Sequence, residues 1–205
     1  MPKSSESSPI FQFLTQKENL PAVLEVIRYT EQIRNYVAER FWDSLEKAIK
    51  KNPKARDDFS WERRLPDKSD RAFFLIARPP ALPEKRQGLQ YRIETTADYF
   101  GFGLNWNQDA RQIEKLCQLQ SLKTLQAKLK ERSGDIDPKP NTYTLWWEYW
   151  QRNPYTDSDP WSWFASDFDD AFFNGLAQKF WDFVLPIHPL VLEANKSLSQ
   201  LRQAT

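Results

Sequence analysis

The chain has 205 residues and a mass of 24.3 kDa, with 29 basic against 28 acidic side chains and a net charge of +1. That size fits one domain, the near-neutral balance excludes a nucleic-acid polycation, and 9 Trp, 7 Tyr and 14 Phe exclude the composition of a disordered chain. Only 5 glycines, one cysteine (Cys117) and one histidine (His188) are present. Neither common phosphate loop, no internal disulfide, and no multi-cysteine or multi-histidine metal site can be built from such a set.

Residues 1–18 begin with a polar Ser/Pro/Glu stretch, lack an apolar export core, and are predicted to be a poorly ordered leader to a single α+β domain over 19–205. With one cysteine and no export signal, a cytoplasmic location is expected. Asn19 precedes Pro21, which suits the first turn of a helix because its missing N–H would be unpaired there anyway. Val23, Val26/Ile27, Ile33, Val37, Phe41, Leu45 and Ile49 then recur at three- to four-residue steps, with a slip near Thr30. Lys47, Lys50 and Lys51 fill the last turn before Asn52-Pro53, which predicts a long helix to about Lys51, or two helices with a break.

From Lys54 to Asn107 the period changes from helical to alternating. Asp58–Trp61 and Arg71–Arg78 read as strands. Leu89, Tyr91, Ile93 and Thr95 alternate on odd numbers, whereas Phe100, Phe102, Leu104 and Trp106 alternate on even ones. A strand cannot change parity without a turn or bulge, so Thr96–Asp98 is predicted to be a tight connection or a bulge. Gly101 and Gly103 fall on the opposite face of the second strand, where a helix or partner backbone could approach closely or curvature be accommodated. Asp109–Arg132 carries the stripe Ile113, Leu116/Cys117, Leu122, Leu125 and Leu129 and reads as one helix stopped by Gly134. Ser133–Asn141 reads as a loop, and Tyr143–Trp150 as strand or helix, with aromatic density and Thr144 favouring strand. A last helix is expected over Asp167–Val184, capped by Ser166 and bent or interrupted by Pro186 and Pro189 before Val191–Leu201. The predicted architecture is a mainly antiparallel sheet of three or four strands packed by a long N-terminal helix, a middle helix and a C-terminal helical segment.

Charge and tryptophan are unevenly spread. Residues 141–205 hold four basic and eight acidic side chains, net −4, which leaves 25 and 20, net +5, for residues 1–140. Six of the nine tryptophans lie in the acidic third, among them Trp146, Trp147, Trp150, Trp161 and Trp163. As core they bury large apolar area; as an interface they would anchor a protein partner, because Trp is enriched at binding hot spots. Base stacking fits less well, since it pairs stacking with positive charge. For phosphate contacts the better candidates are Lys50, Lys51, Lys54, Arg56, Arg63 and Arg64, although a solvated helix end explains most of that run.

Catalytic candidates are sparse. Asp157, Asp159, Asp167, Asp169 and Asp170 are the place to look for a hard cation, but the same residues suit a turn and a helix start. Pro66-Asp67 with Asp137-Pro138-Lys139 spells the pieces of a PD…DxK nuclease site, in which two carboxylates hold Mg²⁺ beside a lysine. That chemistry needs the acid-x-Lys tripeptide on a central strand, whereas here it lies among prolines. Cys117 reads as a core residue and His188 as structural or surface-exposed, so no catalytic residue, metal ligand or cofactor is assigned.

Phe41-Trp42-Asp43-Ser44-Leu45, Tyr99–Trp106 and Trp146-Trp147-Glu148-Tyr149-Trp150 follow one another in an order that resembles the C-terminal, non-catalytic half of PD-(D/E)XK nuclease-family proteins of bacterial defence type. The resemblance covers residues 41–190 and has no counterpart of the nuclease half. It implies an accessory or recognition module. The expected function is a non-enzymatic interaction module that meets a protein partner through its Trp-rich acidic third. The alternatives are a nucleic-acid-binding accessory protein using the basic run, and a Mg²⁺-dependent nuclease. No membrane association is expected.

Overall fold

The computed structural model describes residues 9–64, 73–79, 88–95, 99–106, 108, 112–132, 136–137, 140–152 and 168–203. The chain divides into two compact units, residues 1–42 and 43–205. The first contains the short helix α1 (Pro9–Leu14) and most of α2 (Leu20–Lys51), which runs on as one helix into the second. The stretch expected as a leader thus includes α1, and Asn19 ties the α1–α2 turn by donating from Nδ2 to the Phe13 carbonyl at 2.8 Å.

The second unit is built on an antiparallel sheet in the order β1-β2-β3-β4-β6-β5, with β1 Ser60–Arg64, β2 Phe73–Arg78, β3 Gln90–Thr95, β4 Tyr99–Asn105, β5 Ile136–Asp137 and β6 Thr144–Arg152. Five full strands and a two-residue edge strand exceed the three or four expected. The added edge comes from β5, in a segment whose prolines read as loop. The alternation over β3 and β4 is as read: Tyr91, Ile93 and Thr95 pair with Leu104, Phe102 and Phe100, and all six are buried, while the connection expected at Thr96–Asp98 lies outside the described residues. The register of β4 against β6 shifts at Phe100/Gly101 and at Leu104/Asn105.

Among the described residues, this unit also holds the end of α2 and the helices α3 (Ile113–Cys117), α4 (Gln120–Lys130) and α5 (Asp170–Gln203). The single helix expected over Asp109–Arg132 is divided because Leu119 leaves the helical region (φ −59°, ψ 134°). The stripe already carried the signal, since six residues separate Leu116 from Leu122. α5 starts at Asp170 rather than Asp167, and its cap is Asp169, whose Oδ1 accepts from the Phe172 N–H at 2.9 Å. Ser166 lies outside the described residues.

Pro186 and Pro189 do not interrupt α5. A proline within a helix leaves the carbonyl four residues earlier without its N–H partner, at a cost of ~3 kcal/mol. For Pro186 that carbonyl belongs to Asp182, and the Arg132 guanidinium donates to it at 3.4 Å. Burial supplies the rest: Phe180, Trp181, Phe183, Val184, Ile187, Val191, Ala194 and Leu198 are all buried along α5. At ~1.5–3 kcal/mol per large apolar side chain, this packing outweighs two prolines.

The core between α5 and the sheet is aromatic. Phe59 packs on Tyr91 and Trp181 with ring centroids 5.7 Å away in each case, and Phe102 meets Phe183 edge-on at 4.6 Å. Polar ties fix its borders. The Trp181 indole donates to the Ile49 carbonyl in the last turn of α2 at 2.8 Å, beside a longer 3.4 Å bond from the Asn52 N–H. The Asn195 amide brackets Leu89, accepting from its N–H at 2.6 Å and donating to its C=O at 3.0 Å, as a neighbouring strand would.

Candidate docking helix

The residues singled out from the sequence fall into three kinds of surroundings. Trp146 and Trp147 are adjacent on β6 and project to opposite faces of the sheet, and both are buried. The Trp147 indole lies on β4 over Gly101 and Gly103, so the close approach those glycines permit is that of a side chain from the next strand. Two of the proposed partner-binding tryptophans are therefore core residues, unavailable as a surface. Trp150 belongs to β6 by its backbone; its side chain, together with Trp161 and Trp163, lies outside the described residues.

The basic candidates are largely neutralised by neighbouring carboxylates. Lys50 pairs with Glu46 at 2.6 Å, Lys54 with Asp182 at 2.7 Å, and Arg64 with Glu62 at 2.6 Å. Arg56 forks onto Asp58 through two bonds of 3.0 and 2.7 Å, and Arg63 bridges Asp43 and Glu46 at 2.7 Å each. Burial alone would raise the Glu46 carboxyl, but hydrogen bonds from Lys50 and Arg63 outweigh it and hold the group below its usual value. Lys51 is exposed at the end of α2. A phosphate approaching this run meets paired cations, which blunts the counterion-release gain that drives nucleic-acid binding.

Asp169 caps α5 and Asp170 opens it, while Asp157, Asp159, Asp167, Asp67 and Lys139 lie outside the described residues. Asp137 is on the edge strand β5 opposite Trp147, a strand context that its flanking prolines concealed. Among the described residues no three His, Cys, Asp or Glu side chains gather to hold a metal. Burial raises the half-buried Cys117 thiol above its usual range, against which the Gln126 amide at 3.8 Å is a weak counterweight. His188 is not at the surface: its Nδ1 faces the Tyr91 hydroxyl at 3.1 Å in the aromatic core. Burial, reinforced by the positive charge of Arg56 and opposed by Asp58, lowers its pKa below the ordinary histidine value. A cavity of about 550 Å³ between α3, α4 and β6 is lined by Glu114, Cys117, Gln126, Lys130 and Trp146.

The exposed apolar surface lies elsewhere. Leu20, Leu24, Val26, Ile27, Tyr29, Ile33 and Tyr36, all on the first half of α2, are exposed, with Val26 at 59%, Ile27 at 64% and Tyr36 at 61%. At 3.6 residues per turn, Leu20, Leu24 and Ile27 share one face of the helix. Ala22, Val26, Tyr29, Ile33 and Tyr36 share the opposite one at 4-3-4-3 spacing, the a/d spacing of a coiled-coil seam. The second of these faces runs uninterrupted for about 21 Å. At its end the Arg40 guanidinium sits over the Tyr36 ring, 5.9 Å from the centroid. The signal was present in the adjacent apolar pairs Val23-Leu24 and Val26-Ile27: a helix burying one stripe does not need both members.

No protein-family model, curated protein or solved structure matches this chain. Among the described residues no helix is long and apolar enough to cross a membrane.

Proposed function

We propose that the protein is a non-enzymatic interaction module that receives an amphipathic helix of a partner protein along the Ala22–Tyr36 seam of α2. The observation that carries this reading is an uninterrupted heptad-spaced apolar stripe left open to solvent, the surface that helix-on-helix recognition uses. Its four large side chains expose on the order of 400 Å², as much as the largest apolar patch on a typical monomer. Doubled for a partner, that area falls below the ~1,200–2,000 Å² of a standard interface, so the seam suits a transient association. The reading keeps the interaction module expected from the sequence and moves its surface from the C-terminal tryptophans to the N-terminal helix.

The test is a double substitution, Val26→Asp with Ile33→Asp, at two exposed positions. Binding of a fluorescent helical peptide carrying a Leu/Ile a/d stripe is followed by anisotropy. Wild type is expected to bind and the variant to lose binding at least tenfold, with an unchanged far-UV CD spectrum outside the first turns of α2. Equal binding by both chains would refute docking on this seam.

A further inference from the structure

The borders of the seam differ in charge. Glu25, Gln32 and Glu39 follow one another at seven-residue intervals along one border and are all exposed. Val23, Thr30 and Val37 follow along the other, uncharged and half-buried. In coiled-coil terms the seam residues are a and d, the acidic border is g and the uncharged border is e. The Glu25 carboxylate is 60% exposed and its Arg28 neighbour stands 4.0 Å away on the turn beyond, so it remains reachable from the seam.

Two copies of this chain satisfy the pattern poorly. Antiparallel pairing sets g against g, which places the glutamates of one copy along those of the other. Parallel pairing sets g against the uncharged e border and brings Arg40 of both copies together at the end of the seam. We infer, resting on the docking reading above, that the seam takes a heterotypic partner: an amphipathic helix whose apolar stripe is bordered by Lys or Arg at seven-residue spacing. Such a helix sets cations on Glu25 and Glu39, and interhelical pairs of this kind select the partner more than they tighten the complex. The acidic border also disfavours an anionic membrane surface as the occupant.

The experiment uses the full chain and two synthetic four-heptad peptides with the same Leu/Ile stripe, one bordered by lysines and one by glutamates. Wild type is expected to bind the lysine-bordered peptide about tenfold tighter at low salt, with the gap narrowing as salt rises. Glu25→Lys with Glu39→Lys is expected to reverse the order, and Val26→Asp with Ile33→Asp to abolish both. Equal affinities for the two peptides in wild type and in the charge-reversed chain would overturn the charge assignment while leaving the docking reading intact. Failure of both peptides to bind would sink the docking reading and the assignment with it. A dimer in sedimentation that Ile33→Asp dissociates would make a second copy the occupant and refute the inference. So would binding to phosphatidylserine vesicles that is lost in the same variant.

Discussion

Gly103 is the point at which the sheet tolerates least. A Cβ there would overlap the Trp146 carbonyl oxygen and stand 2.7 Å from Cε3 and 3.1 Å from Cα of Trp147. Two of those three atoms are backbone of the paired strand and the third is a ring pressed onto β4, so no rotamer change clears the space. Overpacking costs ~1–3 kcal/mol where side chains can adjust, and here they cannot, so Gly103→Ala is expected to cost about 3 kcal/mol or more. For a chain of this length that lowers Tm by roughly 6–12 °C. Gly175 supplies the internal control: it lies in α5 with nothing within 4 Å of an added Cβ. Gly175→Ala should stabilise by ~0.5–1 kcal/mol through helix propensity and a less free unfolded chain. Urea unfolding followed by tryptophan fluorescence reads both. If Gly103→Ala stays within 1 kcal/mol of wild type, or if both changes destabilise alike, the indole-on-strand packing is not why glycine sits on β4.

The His188 pKa is lowered on folding, so the unfolded chain binds the proton more readily and stability is lost as pH falls below ~6.5, the unfolded value. Tm measured between pH 7 and pH 5 should therefore drop in wild type and stay flatter in His188→Asn; parallel profiles would show that His188 does not set the slope. Asn195→Leu orphans the N–H and C=O of Leu89 at a buried position and should cost about 3 kcal/mol in urea unfolding. A loss under 1 kcal/mol would mean that the bracket adds little. Arg132 forks onto Glu148 at 2.7 and 3.2 Å and stands over Phe183 at 5.0 Å, so Arg132→Lys should cost ~1–3 kcal/mol. Lys54→Ala, at the exposed pair with Asp182, should cost under ~1 kcal/mol, and the same assay would expose a reversed ranking.

What the sequence showed and concealed divides along physical lines. Alternation is local, so the parity switch between Tyr91/Ile93/Thr95 and Phe100/Phe102/Leu104 read out a hairpin register directly. Partners that meet across long separations left no local trace. Nothing near Pro186 announces that Arg132 will reach the Asp182 carbonyl, and nothing near Ile49 announces Trp181. The tryptophans misled because density along the chain was taken for density on a surface. Consecutive strand residues point to opposite faces, so Trp146 and Trp147 could both be exposed only on a sheet bare on both sides. The exposed face of α2 was hidden differently: its apolar residues were legible, but Val23, Val26/Ile27 and Ile33 were read as one stripe, which merged two faces of the helix.

The first half of α2 is held helical by devices of its own. Pro21 sits in the first turn, where its missing N–H has no helical partner to lose. Glu25 and Arg28 stand one turn apart, as do Tyr36 and Arg40. Side-chain pairs of this kind are worth ~0.2–0.5 kcal/mol each, while Val23, Val26, Ile27, Thr30, Ile33 and Val37 are β-branched residues that weaken a helix. In water such a balance is marginal, because most helical stability in proteins comes from packing an apolar face. On the docking proposed above, a partner helix on the Ala22–Tyr36 seam would supply that packing where the chain leaves the face open. Docking and helix stability are then one equilibrium: whatever binds the seam must also protect the amides of residues 26–40 from hydrogen exchange.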